Sequence, residues 1–166
     1  MTVNSEQKEI QLITFHPYIK SNKDDFYNLN ISWLKELFLL EPYDEFVLSN
    51  PKSAILDKGG YVFMGKLKGT IVATFALTPS NDGVYELNKM AVHESFRGKG
   101  FGNKMMEFLI QFCIENNINV IELYSNKQLE NAIHLYLKYG FVEVDITEDN
   151  PYQRADIKMS LTLHIL

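Results

Sequence analysis

The sequence predicts an α/β fold in one domain: a mixed, largely antiparallel sheet with helices on both faces. Three observations lead there. Strand-like runs pair as hairpins both early and late in the chain, which a purely parallel nucleotide-binding fold does not do. Beyond Gly100 the apolar period changes from two to about 3.6 and then returns, so strands alternate with helices in the second half. No repeat, low-complexity tract or shift in composition divides the chain, so residues 1–166 read as a single domain able to bury its own core.

Glu9 to Phe15 has the length and apolar content of a first strand. Asp24 to Leu40 carries Phe26, Leu29, Ile31, Leu34, Leu37 and Phe38 at broadly helical spacing, with Pro42 as the expected stop. A short helical turn fits Asp44 to Leu48. Tyr61 to Lys66 and Thr70 to Leu77 flank Leu67-Lys68-Gly69 and read as a hairpin. After the turn cluster Pro79 to Gly83, Val84 to Val92 makes another strand. Phe101, Met105, Phe108, Leu109 and Phe112 then recur at i, i+4, i+7, i+8 and i+11, the stripe of a sheet-packed helix ending near Asn116. Asn119 to Tyr124 is a short strand, and Leu129, Ile133, Tyr136 and Leu137 share one face of a second helix that Gly140 stops. Val142, Val144 and Ile146, then Ile157, Met159, Leu161 and Leu163, alternate with polar residues as a terminal antiparallel pair.

Composition narrows the function. A net charge of -5 argues against nucleic-acid binding, which needs a broad basic face. Apolar residues at 46% and charged residues at 22% are ordinary globular values, and no run approaches the roughly 18 apolar residues of a membrane helix. The first residues, from Met1, carry no basic patch followed by an apolar stretch, so the expected location is cytoplasmic. Cys113 is alone and lies on an apolar helical stripe, which excludes an internal disulfide and makes it a core residue. His16, His93, His134 and His164 show no pairing at ligand spacing, so no metal is expected.

The chemistry concentrates at Arg97-Gly98-Lys99-Gly100-Phe101-Gly102, between a strand and a helix. Glycines at 98, 100 and 102 remove Cβ obstruction, so successive backbone N–H groups can converge on an anion at a positive helix N-terminus. Neither the dinucleotide fingerprint G-x-G-x-x-G nor the P-loop pattern fits, which leaves a pyrophosphate loop of another kind.

This loop resembles the [QR]-x-x-G-x-[GA] signature of the GNAT superfamily of N-acetyltransferases. The resemblance runs from about Tyr61 to Val144 and includes Glu86 to Val92, Ile121 to Asn126, and Asn131 to Phe141. Earlier segments share only a β-α-α order with the family, in a region that usually shapes the acceptor pocket. The resemblance implies acetyl-CoA as cosubstrate, with central parallel strands splayed to form its slot. Met90, Ala91 and Val92 would offer backbone hydrogen bonds there. The amides from Gly98 to Gly102 would hold the pyrophosphate, with Arg97 and Lys99 adding positive charge. Asn131 matches an asparagine that contacts the cofactor in the family, and Asn126 is a second candidate.

Tyr136 matches the tyrosine that in many members protonates the departing sulfur, although spacing alone also suits a core aromatic. Glu86 lies eleven positions before Arg97 (97 minus 86), where several protein-lysine members carry a general base. A base is needed because an alkylamine of pKa about 10.4 is almost wholly protonated at neutral pH. A strand-end carboxylate facing solvent or pairing with Lys89 is the competing reading, and His93 is another possible base. Trp33, Tyr43, Asp44 and Glu45 would roof the acceptor slot. Residues 35–57 hold five carboxylates against two lysines, a local excess expected to favour an approaching ammonium.

The expected function is acetyl transfer from acetyl-CoA to the primary amine of a small molecule, by direct attack in a ternary complex. Transfer to a protein lysine or N-terminus, and a noncatalytic acyl-CoA sensor, remain the alternatives. A homodimer is compatible with the resemblance.

Overall fold

The computed structural model describes residues 3–164, so the first two and last two residues of the expected 1–166 unit lie outside the described residues. The strands are β1 (Thr14–Pro17), β2 (Tyr61–Leu67), β3 (Thr70–Pro79), β4 (Val84–Val92), β5 (Val120–Ser125), β6 (Val142–Val144) and β7 (Ile157–Thr162). They form one sheet in the order β1-β2-β3-β4-β5-β7-β6. Every neighbouring pair is antiparallel except β4 with β5. The helices are α1 (Ser5–Ile10), α2 (Lys23–Leu37), α3 (Pro42–Ser49), α4 (Pro51–Ala54), α5 (Phe101–Glu115) and α6 (Glu130–Lys138). Among the described residues no helix is long and apolar enough to cross a membrane.

Because successive strand side chains alternate across a sheet, β2 and β3 each feed two apolar layers. Phe63 and Phe75 pack on one side with Met105, Leu109 and Phe141, under α5 and α6. Val62, Met64 and Ala76 face the other side, where Phe26, Leu34 and Leu48 of α2 and α3 cover them. The α/β architecture with helices on both faces is as the sequence predicts.

Boundaries differ at several element ends. The first strand spans only Thr14–Pro17, because Asn4 caps a helix that absorbs Glu9 and Ile10; its side chain accepts from the Gln7 amide at 2.7 Å. Helix α2 stops at Leu37, where Phe38 turns extended, and Pro42 opens α3 rather than closing α2. A proline in a first helical turn gives up no backbone hydrogen bond there. Strand β6 ends at Val144, short of Ile146.

The centre of the sheet is where the site forms. Strand β4 pairs in parallel with β5 only through Val84, Tyr85 and Glu86, opposite Val120, Ile121 and Glu122. On its other edge Asn88 sits opposite Ala76 and Ala91 opposite Thr74, so Lys89 and Met90 share the place of one residue. Lys89 takes φ 50°, a left-handed conformation uncommon outside glycine. This is a β-bulge, which bends the strand and re-aims its side chains.

Candidate functional site

Beyond Glu86 the two strands part and leave a cavity of about 710 Å³. Leu87 to Val92 of β4 and Leu123 to Ser125 of β5 form its sides. Arg97 stands at the loop end, α6 adds Asn131 and Tyr136, and α2 adds Trp33. Tyr152 and Arg154, from the segment before β7, close the remaining wall.

Gly98 (φ 72°) and Gly100 (φ 91°) both adopt left-handed backbone that L side chains avoid. Gly100 precedes α5, whose first-turn amides have no intrahelical acceptor. Gly102 has a different reason to be glycine. A Cβ there would stand 2.9 Å from Leu135 Cδ2, so its smallness lets α5 approach α6 rather than opening room for an anion. Phe101 is buried in the core, leaving only its backbone to face the loop. Arg97 Nε donates to the Val92 carbonyl at 3.1 Å, and its guanidinium lies 3.6 Å from Glu36, so the side chain ties the loop to β4 and α2. Lys99 is exposed, with its ammonium 5.9 Å from the Phe96 ring.

Asn126 and Asn131 both line the cavity. The Asn126 amide donates to the Arg154 carbonyl at 2.7 Å and its oxygen accepts from the Gln128 amide at 3.0 Å. Those bonds commit its side chain to shaping the wall. Asn131 is exposed in the first turn of α6.

Tyr136 faces the cavity with its ring 5.8 Å from Phe141, and burial pushes its phenol up to about 12. Its hydroxyl has no hydrogen-bond partner among the described residues. Glu86 is the last β4 residue in register with β5, and its carboxylate accepts from Asn88 Nδ2 and, at 3.2 Å, from the Tyr152 hydroxyl. Burial raises its pKa, against the pull of Asn88, Lys89 and Tyr152. Asn88 and Tyr152 line the cavity and Glu86 stands behind them. His93 is elsewhere: its Nδ1 accepts from the Ser95 amide at 3.1 Å, and it borders a smaller hollow of about 170 Å³ beside α2. Cys113 is buried, which pushes its thiol up to about 12 and suits a core role.

One constellation escaped sequence reasoning. Asp44 is fully buried and holds Lys89 at 2.9 Å, while Arg154 clamps both its oxygens, one of them at 2.9 Å. Arg154 also reaches Glu41 at 2.9 Å. Burial alone would raise the Asp44 carboxyl, but Arg154 and Lys89 hold it below its usual value. Burial in turn pulls Lys89 below the usual lysine value, against Asp44. The expected acidic excess over residues 35–57 is therefore spent: Glu36 meets Arg97, Glu41 and Asp44 meet Arg154, Glu45 accepts from Tyr27 and Ser49, and Asp57 meets Lys52. Of this paired cluster, Lys89 and Arg154 line the cavity, their charges matched by Asp44 and Glu41 behind them.

Residues 23–141 match the sequence profile of the acetyltransferase (GNAT) family. The chain belongs to the GNAT family. The GNAT match begins at α2, well before Tyr61, so the helical part of the segment that resembled the family only in element order lies within it, while β1 lies before it. N-acetylaspartate synthetase of Danio rerio is 32% identical over 92 residues, 55% of this chain and 33% of that protein. The chain thus spans about a third of the length of the curated relatives it matches. A GNAT-family acetyltransferase of Staphylococcus aureus superposes with a TM-score of 0.82 at 24% identity, covering 92% of this chain and 99% of that one. Spermidine N-acetyltransferase of Vibrio cholerae, solved with CoA and spermine, gives 0.70 at 18% identity over 92% and 96%. At these identities the two structures establish the GNAT fold and no more.

Proposed function

We propose that the chain, acting as one catalytic unit, transfers acetyl from acetyl-CoA to the primary amine of a small molecule. The observation that carries this reading is the parting of β4 from β5 into a cavity lined from Arg97, where the glycine loop begins, to Tyr152, whose hydroxyl reaches Glu86. Its size falls within the roughly 300–1000 Å³ of small-molecule sites.

The residues fit acetyl-CoA. Left-handed Gly98 and Gly100 lead directly into α5, whose helix end favours a pyrophosphate. Acetyl-CoA supplies an activated thioester. The β4 edge from Met90 to Val92 has no strand partner on its β5 side and would donate to the acyl oxygen. Tyr136, held neutral by burial, would donate its hydroxyl proton toward the departing sulfur. Tyr152 links the cavity to Glu86: its Oη would take a proton from the ammonium as its own proton passes to Glu86 Oε2. The raised Glu86 pKa makes that carboxylate a better proton acceptor than an exposed one. Lys99, Asn126 and Asn131 would complete the cofactor's surroundings.

The test is release of free thiol from acetyl-CoA in the presence of a mixed panel of amines. Turnover that depends on an amine is expected. Tight acetyl-CoA binding with no turnover would instead make the chain a sensor.

A further inference from the structure

The acceptor end of the cavity holds polar atoms that find no hydrogen-bond partner among the described residues. Trp33 Nε1 is a buried donor with no partner, and Asn88 Oδ1 is a buried acceptor with none. Both residues line the cavity. Lys89, its side chain only 4% exposed, makes a single hydrogen bond, to Asp44, although an ammonium has three donors. Arg154 spends three of its five donors on Glu41 and Asp44. These donors sit around one aromatic floor. The Trp33 ring is 6.3 Å from Phe38, Arg154 lies 5.9 Å from Phe38 and 4.9 Å from Tyr152, and the Lys89 ammonium lies 4.9 Å from Tyr152.

Buried donors without acceptors are costly, so this arrangement asks for a ligand that brings oxygen atoms able only to accept, as a carboxylate does. The lone acceptor, Asn88 Oδ1, stands beside Glu86, where an amine would lose its proton. Donors on one side and an acceptor on the other describe a ligand with an anionic and an ammonium end. We infer that the acceptor is an amine that also carries a carboxylate, of amino-acid size. Its carboxylate is held by Lys89, Arg154 and Trp33 and its amine lies against Asn88 and Tyr152. A polyamine would set a further ammonium, which accepts no hydrogen bond, against the unfilled donors of Lys89 and Arg154.

This inference rests on the acyl-transfer reading, and the experiment separates the two. Initial rates of thiol release are measured with the L-amino acids, each paired with its own carboxamide, and with spermidine. The best carboxylate should exceed its carboxamide by at least 10-fold in kcat/KM, and spermidine should be poor. Trp33→Phe keeps an aromatic ring against Phe38 and removes only the N–H. It should raise KM for the carboxylate by roughly 10-fold, the worth of one hydrogen bond to a charged group, and narrow the preference over the carboxamide. Carboxamides or spermidine matching the carboxylates in the parent protein would overturn the inference and leave acyl transfer standing. Acetyl-CoA binding without thiol release to any amine would overturn both.

Discussion

Tyr136 lines the cavity and Glu86 stands behind Tyr152, and each makes its own prediction. Burial keeps the Tyr136 phenol protonated through the working range, so Tyr136→Phe should lower turnover by roughly 10- to 1000-fold while acetyl-CoA affinity and Tm stay near the parent's. Unchanged turnover with chemistry rate-limiting would return Tyr136 to the core. For Glu86, whose pKa is raised, proton uptake is available above that pKa and lost as pH falls through it. In Glu86→Gln, activity should fall near neutral pH and recover toward alkaline pH as free amine forms in solution. Parallel profiles of kcat/KM for parent and variant between about pH 6.5 and 10 would remove Glu86 as the base. Both stand as candidates through the family resemblance, Tyr136 by its place in the stretch Asn131 to Phe141 and Glu86 by its offset from Arg97. The placement of Tyr152 between the cavity and Glu86 was not legible in the sequence, since it joins positions 66 residues apart.

At the scale of elements, the glycine loop was readable and the ion cluster was not. Local chain chemistry sets the loop: Gly100 must hold φ 91°, so Gly100→Val should abolish acetyl-CoA binding by calorimetry. Gly102 looked the same in sequence, yet its constraint is Leu135 of α6, a contact no local pattern announces. Asp44 and Arg154 meet across 110 residues, brought together only when α3 docks beside the segment before β7. Removing one partner of such a buried set strands the others, so Asp44→Asn should cost about 3–5 kcal/mol at neutral pH. The sign follows from the depressed Asp44 pKa. Its stabilisation is present above the usual carboxylate value and disappears as pH falls through the lowered one, so the gap in Tm between parent and variant should close in acid.

For the whole molecule, element type and order were largely legible because periodicity marks them, whereas the parting of β4 from β5, followed by a bulge on the other edge of β4 that breaks periodicity by one residue, was not. That parting divides the sheet into two antiparallel halves, β1 to β4 and β5 to β6, whose backbones join through only three residue pairs. The slot is thus also a seam. A ligand lodged along it would act as a staple, adding bonds between halves that the chain leaves sparsely stitched. At 100 times its Kd such a ligand stabilises the folded state by about 2.7 kcal/mol, which calorimetry reads as a higher Tm. Because the staple spans the two halves, amide exchange should slow together in Leu87 to Val92 and in Leu123 to Ser125 when CoA is added, while β1 and β2, far from the seam, keep their rates.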